Sequence, residues 1–312
     1  MYDIITIGSS VVDIFVLSNQ FQLEHSKEGV RLCQEYGAKI DVDSFQVHSG
    51  GGGGNTAVGF ARLGFAVGVV TETGKDSFAN IVLEDFHTNK VSTNLVIQEK
   101  REETGGSVAL IGKDGGRSIL VHRGASSELD PKDLPVGHLS RARWVHLSSI
   151  AGREDTLRKL FEILSRSNRR YKLSWNPGRS ELVLLKNRQL HIAHVPCEVF
   201  SVNRDEWNLL EGVRDQIMAN VPQIVITEGN KGCEVIIKGF NRHFSTKKVT
   251  SIDDTGAGDA FITAYIAAQL KGQLPETAVQ WGIENATSVV QHVGARAGLL
   301  RLGDMEKVEN VS

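Results

Sequence analysis

The run Asp253-Asp254-Thr255-Gly256-Ala257-Gly258-Asp259-Ala260-Phe261 joins a flexible turn, the start of an apolar helix and a carboxylate in that helix's first turn. Amides at a helix N-terminus attract phosphate. A carboxylate beside the same anion has a chemical use if it takes a proton from a hydroxyl that attacks the phosphate. The other reading is an ordinary helix start, where Asp is favoured by capping and by the helix dipole. Asp254 and Thr255 suffice for that, which leaves Asp259 and two glycines over.

A second run, Ser49-Gly50-Gly51-Gly52-Gly53-Gly54-Asn55-Thr56-Ala57, leads into an apolar helical pattern closed by Gly64. Consecutive glycines cost backbone entropy but let a small ligand approach the chain closely. Asn55 can donate to and accept from vicinal hydroxyls, or it can simply cap the helix. Asp13 ends the run Gly8-Ser9-Ser10-Val11-Val12-Asp13 after the first strand. It can accept from two adjacent sugar hydroxyls or stand as a solvated loop residue. Asn203-Arg204-Asp205-Glu206 and Thr227-Glu228-Gly229-Asn230-Lys231-Gly232 each follow a strand, as turns and caps or as places for a nucleotide or metal.

These residues need a frame. Short β-branched runs at 4–7, 67–71, 144–147, 172–175, 199–202 and 224–227 alternate with helical patterns at 55–63, 79–86, 155–165, 206–210, 258–270 and 277–292. That alternation predicts an α/β fold, a doubly wound and mostly parallel sheet flanked by helices. In such a sheet, ligands gather at the carboxyl ends of the strands. Two regions, roughly 15–47 and 92–123, break the rhythm with strand-like runs such as Ala38-Lys39-Ile40-Asp41-Val42 and Ser107-Val108-Ala109-Leu110-Ile111. They read as a small β-sheet attached to the main one, either inert or a lid that excludes water. With no internal repeat or low-complexity linker, residues 1–312 are expected to form one domain carrying this lid.

A net charge of −2 gives no global field for nucleic acid or anionic membrane. The basic cluster at 166–172 reads as the end of an amphipathic helix. Cys33, Cys197 and Cys233 form no CxxC pair, and the N-terminus reads as a first buried strand, so a cytoplasmic protein is expected. Gly74-Lys75 and Gly112-Lys113 are each followed by Asp, which excludes a P-loop, and no Gly-x-Gly-x-x-Gly opens a helix after the first strand.

Residues 50–64 and 254–261 resemble the two signature regions of the ribokinase-like (PfkB) family of carbohydrate and nucleoside kinases. Asp13, 203–206 and 227–232 fall in that family's order. The resemblance implies an ATP-dependent, Mg²⁺-requiring kinase acting on a primary hydroxyl. Asp259 would be its base, and the Gly256, Ala257 and Gly258 amides its anion hole. It implies a sugar-binding set of Asp13, Gly51, Gly52 and Asn55, and nucleotide contacts from Thr227, Gly229 and Gly232. Asn203 and Glu206 would act on phosphate and on water-bridged Mg²⁺. Asp253 and Thr255, with the Gly294-Ala295 turn, resemble a monovalent-cation loop for K⁺, and the lid resembles one that forms a homodimer contact in several members. Gly52 stands where ribokinases typically have Lys, and Ser148 and Ser149 stand where they often have an acidic residue. An uncharged sugar is therefore expected as substrate, with a nucleoside as the alternative. A silent sugar- or nucleotide-binding regulator is the reading from another class. Arg101 and Arg123 fall in or near the lid and could still meet a phosphate or carboxylate.

Overall fold

The computed structural model describes residues 1–27, 29–99, 101–165, 171–237 and 240–309. Nine strands form a central sheet in the order Phe240–Phe244, Cys233–Ile237, Gln223–Thr227, Val199–Asn203, Lys172–Trp175, Trp144–Leu147, Ile4–Ile7, Val67–Thr73 and Val96–Gln98. Cys233–Ile237 pairs antiparallel with both of its neighbours, and the other pairings are parallel. Strands buried on both faces should be apolar throughout. Ile4 and Trp144 pack with helices Gly52–Arg62, Ala257–Leu270 and Pro275–Val289 on one face. Their neighbours Ile5 and Val145 pack with Glu154–Leu164 and Arg179–Lys186 on the other.

The first strand lies between Val67–Thr73 and Trp144–Leu147. Chain order runs outward from it in both directions, so the switch point that generates a crevice in doubly wound sheets lies at its carboxyl end. Over this end stands a four-stranded sheet in the order Ser44–Gly50, Val11–Leu17, Gly106–Ile111 and Arg117–His122. Asp13 pairs with His48 on one side and Ser107 on the other, and Ser107 with Val121. Side chains alternate along a strand, so Asp13, His48, Ser107, Val121, Ile119 and Arg117 share one face of this second sheet.

Two expectations need revision. Residues 38–42 are irregular and largely exposed. Among the described residues no neighbouring strand takes up their backbone groups, and pairing resumes where Asp43 N donates to Leu17 O at 2.8 Å. Val96–Gln98 joins the central sheet beside Val67–Thr73 rather than the second sheet, and the second sheet begins at Val11. Of the basic cluster, 166–170 lies outside the described residues, and Lys172 starts the strand expected at 172–175. Among the described residues no helix is long and apolar enough to cross a membrane.

Candidate active site

Asp259 lies in the first turn of helix Ala257–Leu270, whose N-cap Gly256 has φ 78° and ψ 2°. That left-handed conformation suits glycine, and a Cβ at Gly256 would come within 2.4 Å of the Ala295 Cβ. Gly258 differs, because a Cβ there would meet nothing within 4 Å. Packing does not require a glycine at 258, whereas a ligand group seated against the helix's first amides would. The helix is apolar on every side and buried from Ala260 to Ala268, which fixes the turn against the sheet.

Helix Gly52–Arg62 brings a second N-terminus to the same place. An ideal Cβ on Gly52 would sit 3.7 Å from Asp259 Oδ1 and 3.0 Å from the Ser148 Cβ. The other glycines of the run are hemmed in by their neighbours. A Cβ on Gly53 would lie 2.6 Å from the Gly8 carbonyl carbon, and one on Gly54 2.3 Å from Arg296 Nη2. The N-cap is Gly51, so Asn55 lies inside the helix and its carboxamide is free of capping. Its Nδ2 donates to Asp259 Oδ2 at 2.9 Å.

The partner that sets this orientation is Arg296, which sequence reasoning did not single out. Its Nε donates to Asn55 Oδ1 at 2.9 Å, its Nη1 to Ser49 Oγ at 2.9 Å and its Nη2 to Gly50 O at 2.8 Å. An ion pair with Asp85 completes the set. Because a guanidinium only donates, Asn55 must turn its oxygen toward Arg296 and its NH₂ toward Asp259. Burial pushes the Asp259 carboxyl up to about 6, against the lowering influence of the Asn55 hydrogen bond and the Arg296 charge. Burial likewise raises Asp13, against the Ser107 hydroxyl, which donates to it at 2.6 Å, and the charge of Arg296. The only sequence signal for Arg296 is its position immediately after Gly294-Ala295.

The strand end beneath the glycine run is uncharged. Ser148 is buried, and its Oγ lies 3.4 Å from Nε2 of His146. Burial alone drives His146 down to about 3, which keeps it neutral. The Ser149 hydroxyl donates to Glu181 at 3.0 Å, and Glu181 also accepts from the Ile150 and Gly152 amides.

A cleft of about 720 Å³ adjoins the start of helix Ala257–Leu270. Asn203, Thr227, Gly229, Gly232, Ala257 and Gly258 line it together, with an apolar wall from Phe261, Ile283, Ala286 and Val290. Asn203 and Glu206 form a reciprocal cap: Asn203 Oδ1 accepts from Glu206 N at 2.9 Å, and Glu206 Oε2 from Asn203 N at 2.8 Å. Burial raises the Glu206 carboxyl. No group of three or more acidic, His or Cys side chains able to hold a metal occurs among the described residues. One carboxylate beside one carboxamide instead suits a hydrated Mg²⁺ that keeps its waters.

Asp253 and Thr255 meet as well, with the Thr255 hydroxyl donating to Asp253 Oδ1 at 2.7 Å. The cation beside them is an arginine of the second sheet, Arg117, whose Nη1 donates to the same oxygen at 2.7 Å. Arg101 and Arg123 are exposed.

Comparison with known proteins gives the family and the fold. The profile of the pfkB family carbohydrate kinases matches residues 4–301. The chain is 25% identical to a ribokinase of Staphylococcus aureus over 322 aligned positions, covering 98% of this chain and 99% of that one. A nucleoside kinase of Methanocaldococcus jannaschii superimposes with a TM-score of 0.81 at 23% identity, covering 99% of both chains. The ribokinase of Arabidopsis thaliana complexed with ribose and ATP gives 0.80 at 22% identity, covering 100% of this chain and 99% of that one.

Proposed function

The chain belongs to the pfkB family of carbohydrate kinases, and from that premise we propose that it transfers the γ-phosphoryl group of ATP to a primary hydroxyl of an uncharged sugar. Asp259 takes the hydroxyl proton as the oxygen bonds to phosphorus, and the bond to the bridging oxygen breaks to leave ADP. The backbone amides of Gly256, Ala257 and Gly258 neutralise the charge on the group in flight. Asp13, Gly51, Gly52 and Asn55 hold the sugar. ATP occupies the cleft at Asn203, Thr227, Gly229 and Gly232, where Glu206 would hold a hydrated Mg²⁺ whose charge would offset that of the phosphates.

One observation carries this reading. Asp259, pushed up to about 6, stands where two helix N-termini meet, beside space that the Gly258 hydrogen leaves open. Its ionisation is thereby poised near the operating pH, which suits a general base. The absence of a cation at Gly52 supports an uncharged acceptor. The second sheet acts as a lid within a single domain, since it carries Asp13 and Ser107 over the acceptor groups and helps to exclude water. Its opposite face exposes Phe45, Val47 and Leu120, which supports a homodimer contact through the lid.

A nucleoside acceptor is the second reading. Ser148 offers no carboxylate for an anomeric hydroxyl, while Ile119 and Val121, 50% and 64% exposed on the Asp13 face of the lid, offer apolar surface to a base. A panel of pentoses, hexoses, sugar acids and nucleosides, followed by nucleoside diphosphate release with ATP and Mg²⁺, separates the two. Release with a free sugar and none with nucleosides is expected, and the reverse replaces the first reading by the second. ATP bound without transfer to any acceptor would sink both.

A further inference from the structure

The Asp253 carboxylate is only 8% exposed and joins three separate segments. Oδ1 accepts from Thr255 N at 3.0 Å, Thr255 Oγ1 at 2.7 Å and Arg117 Nη1 at 2.7 Å. Oδ2 accepts from Gly294 N at 2.9 Å. Arg117 Nη1 also lies 3.3 Å from Thr255 Oγ1. One partner thus belongs to the turn before Gly256, one to the loop that carries Arg296, and one to the lid.

A monovalent cation needs several converging oxygen lone pairs, and while Arg117 is in place the side chains of this pair offer few. Oδ1 is taken up by three donors and Oδ2 accepts from Gly294 N. The Thr255 hydroxyl gives its hydrogen to Asp253, and a guanidinium that never loses its proton faces both Oδ1 and the Thr255 oxygen. An added cation would have to displace Arg117 or bear its repulsion. The residues therefore do not fit the K⁺ loop that the family resemblance implies.

We infer that Arg117 takes that ion's place: the lid itself supplies the positive charge that orders the Asp253–Gly256 turn, and phosphoryl transfer is independent of monovalent cations. Arg117 is a positioning residue acting through Asp253 and Thr255, and the inference rests on the anion-hole reading of Gly256 to Gly258. It gives the lid a second task. The turn that receives the phosphoryl group is ordered fully only while the sheet over the acceptor is closed, so an open enzyme is poorly organised to pass phosphate to water. The competing reading is a rim ion pair of little worth, since the Arg117 side chain is 37% exposed.

The test compares wild type with Arg117→Ala and Arg117→Lys in tetramethylammonium, Na⁺ and K⁺ buffers at equal ionic strength. Nucleoside diphosphate release is read alongside hydrogen exchange of the peptide spanning 251–261. Wild-type rate is expected to be the same within about twofold across cations. Arg117→Ala should lose roughly ten- to a hundredfold in tetramethylammonium through misplacement of the turn, exchange faster in this peptide, and recover both in K⁺. Arg117→Lys, which keeps the charge, should stay indifferent to the cation. Marked K⁺ activation of wild type, an Arg117→Ala variant unchanged in rate and exchange, or a loss that K⁺ does not repair would each overturn the inference. If no acceptor is phosphorylated, the proposed function fails, while the exchange data still decide the role of Arg117.

Discussion

Asp259 is half-buried over buried side chains locked to one another, whereas the cleft beside it is walled by backbone turns and exposed polar groups. Asn55 and Arg296 are 5% and 6% exposed, and the hydrogen bond between them dictates the one from Asn55 to Asp259. Across the helix start, Asn203, Gly229 and Asn230 are open to solvent. The contrast suits the division of labour proposed above. Moving a proton requires a base whose ionisation is set before the acceptor arrives, and that takes fixed, desolvated surroundings. Holding a nucleotide takes amides, a hydrated cation and an apolar wall, which tolerate looser construction.

The sharpest way to break this contrast is Asp259→Asn. Turnover should fall by roughly 10²–10⁴, while calorimetry finds acceptor and ATP binding within a few-fold of wild type. Near-normal turnover would remove Asp259 from the role of base. Arg296→Met tests the lock itself. It strands Asp85 and the Asn55 oxygen, and denaturant unfolding should register a loss of about 3 kcal/mol. An unchanged midpoint would mean that the buried network is ornamental.

Gly258→Ala separates ligand from fold at the boundary between the two sides. Because a Cβ there meets nothing within 4 Å, the melting temperature should hold or rise slightly, as for glycine replaced in a compatible helix. Turnover should still fall roughly tenfold, because the methyl enters space reserved for phosphate. Full activity would show that the space is not used.

The smallest effect is a shift in pH dependence. Asp259 must be ionised to accept a proton, so kcat/KM should decline as pH drops through about 6. Asn55→Asp removes a hydrogen bond that favours the charged form and adds a like charge. The acidic limb should therefore move up by about one pH unit, and no movement would detach Asn55 from the tuning of Asp259.

Most of the layered sheet was legible in the sequence, because strands buried on both faces and helices with one apolar stripe leave periodic traces. The run at 38–42 misled for a physical reason: alternation marks a strand only when another chain lies alongside. The glycines show a subtler limit. Their number suggested ligand approach, yet Gly53 and Gly54 are held small by Gly8 and Arg296, while at Gly258, as at Gly229, an added Cβ would meet nothing within 4 Å. Arg117 and Arg296 were illegible because neither lies in a motif. What they do depends on partners 136 and 241 positions away, a proximity that only the folded chain creates.

The bond between Arg296 and Asn55 also bears on descent. A donor-only group facing a carboxamide admits one orientation, so replacing either residue alone leaves the other buried without its partner. Among diverging relatives the two positions should change together or not at all, and Asp85, which shares the guanidinium, should travel with them. A lineage that lost the arginine first would pass through a poorly folded ancestor. The pair is then a hereditary unit spanning most of the gene, and its presence in a related sequence would mark kinship in the tuning of the base more reliably than the glycine run beside it.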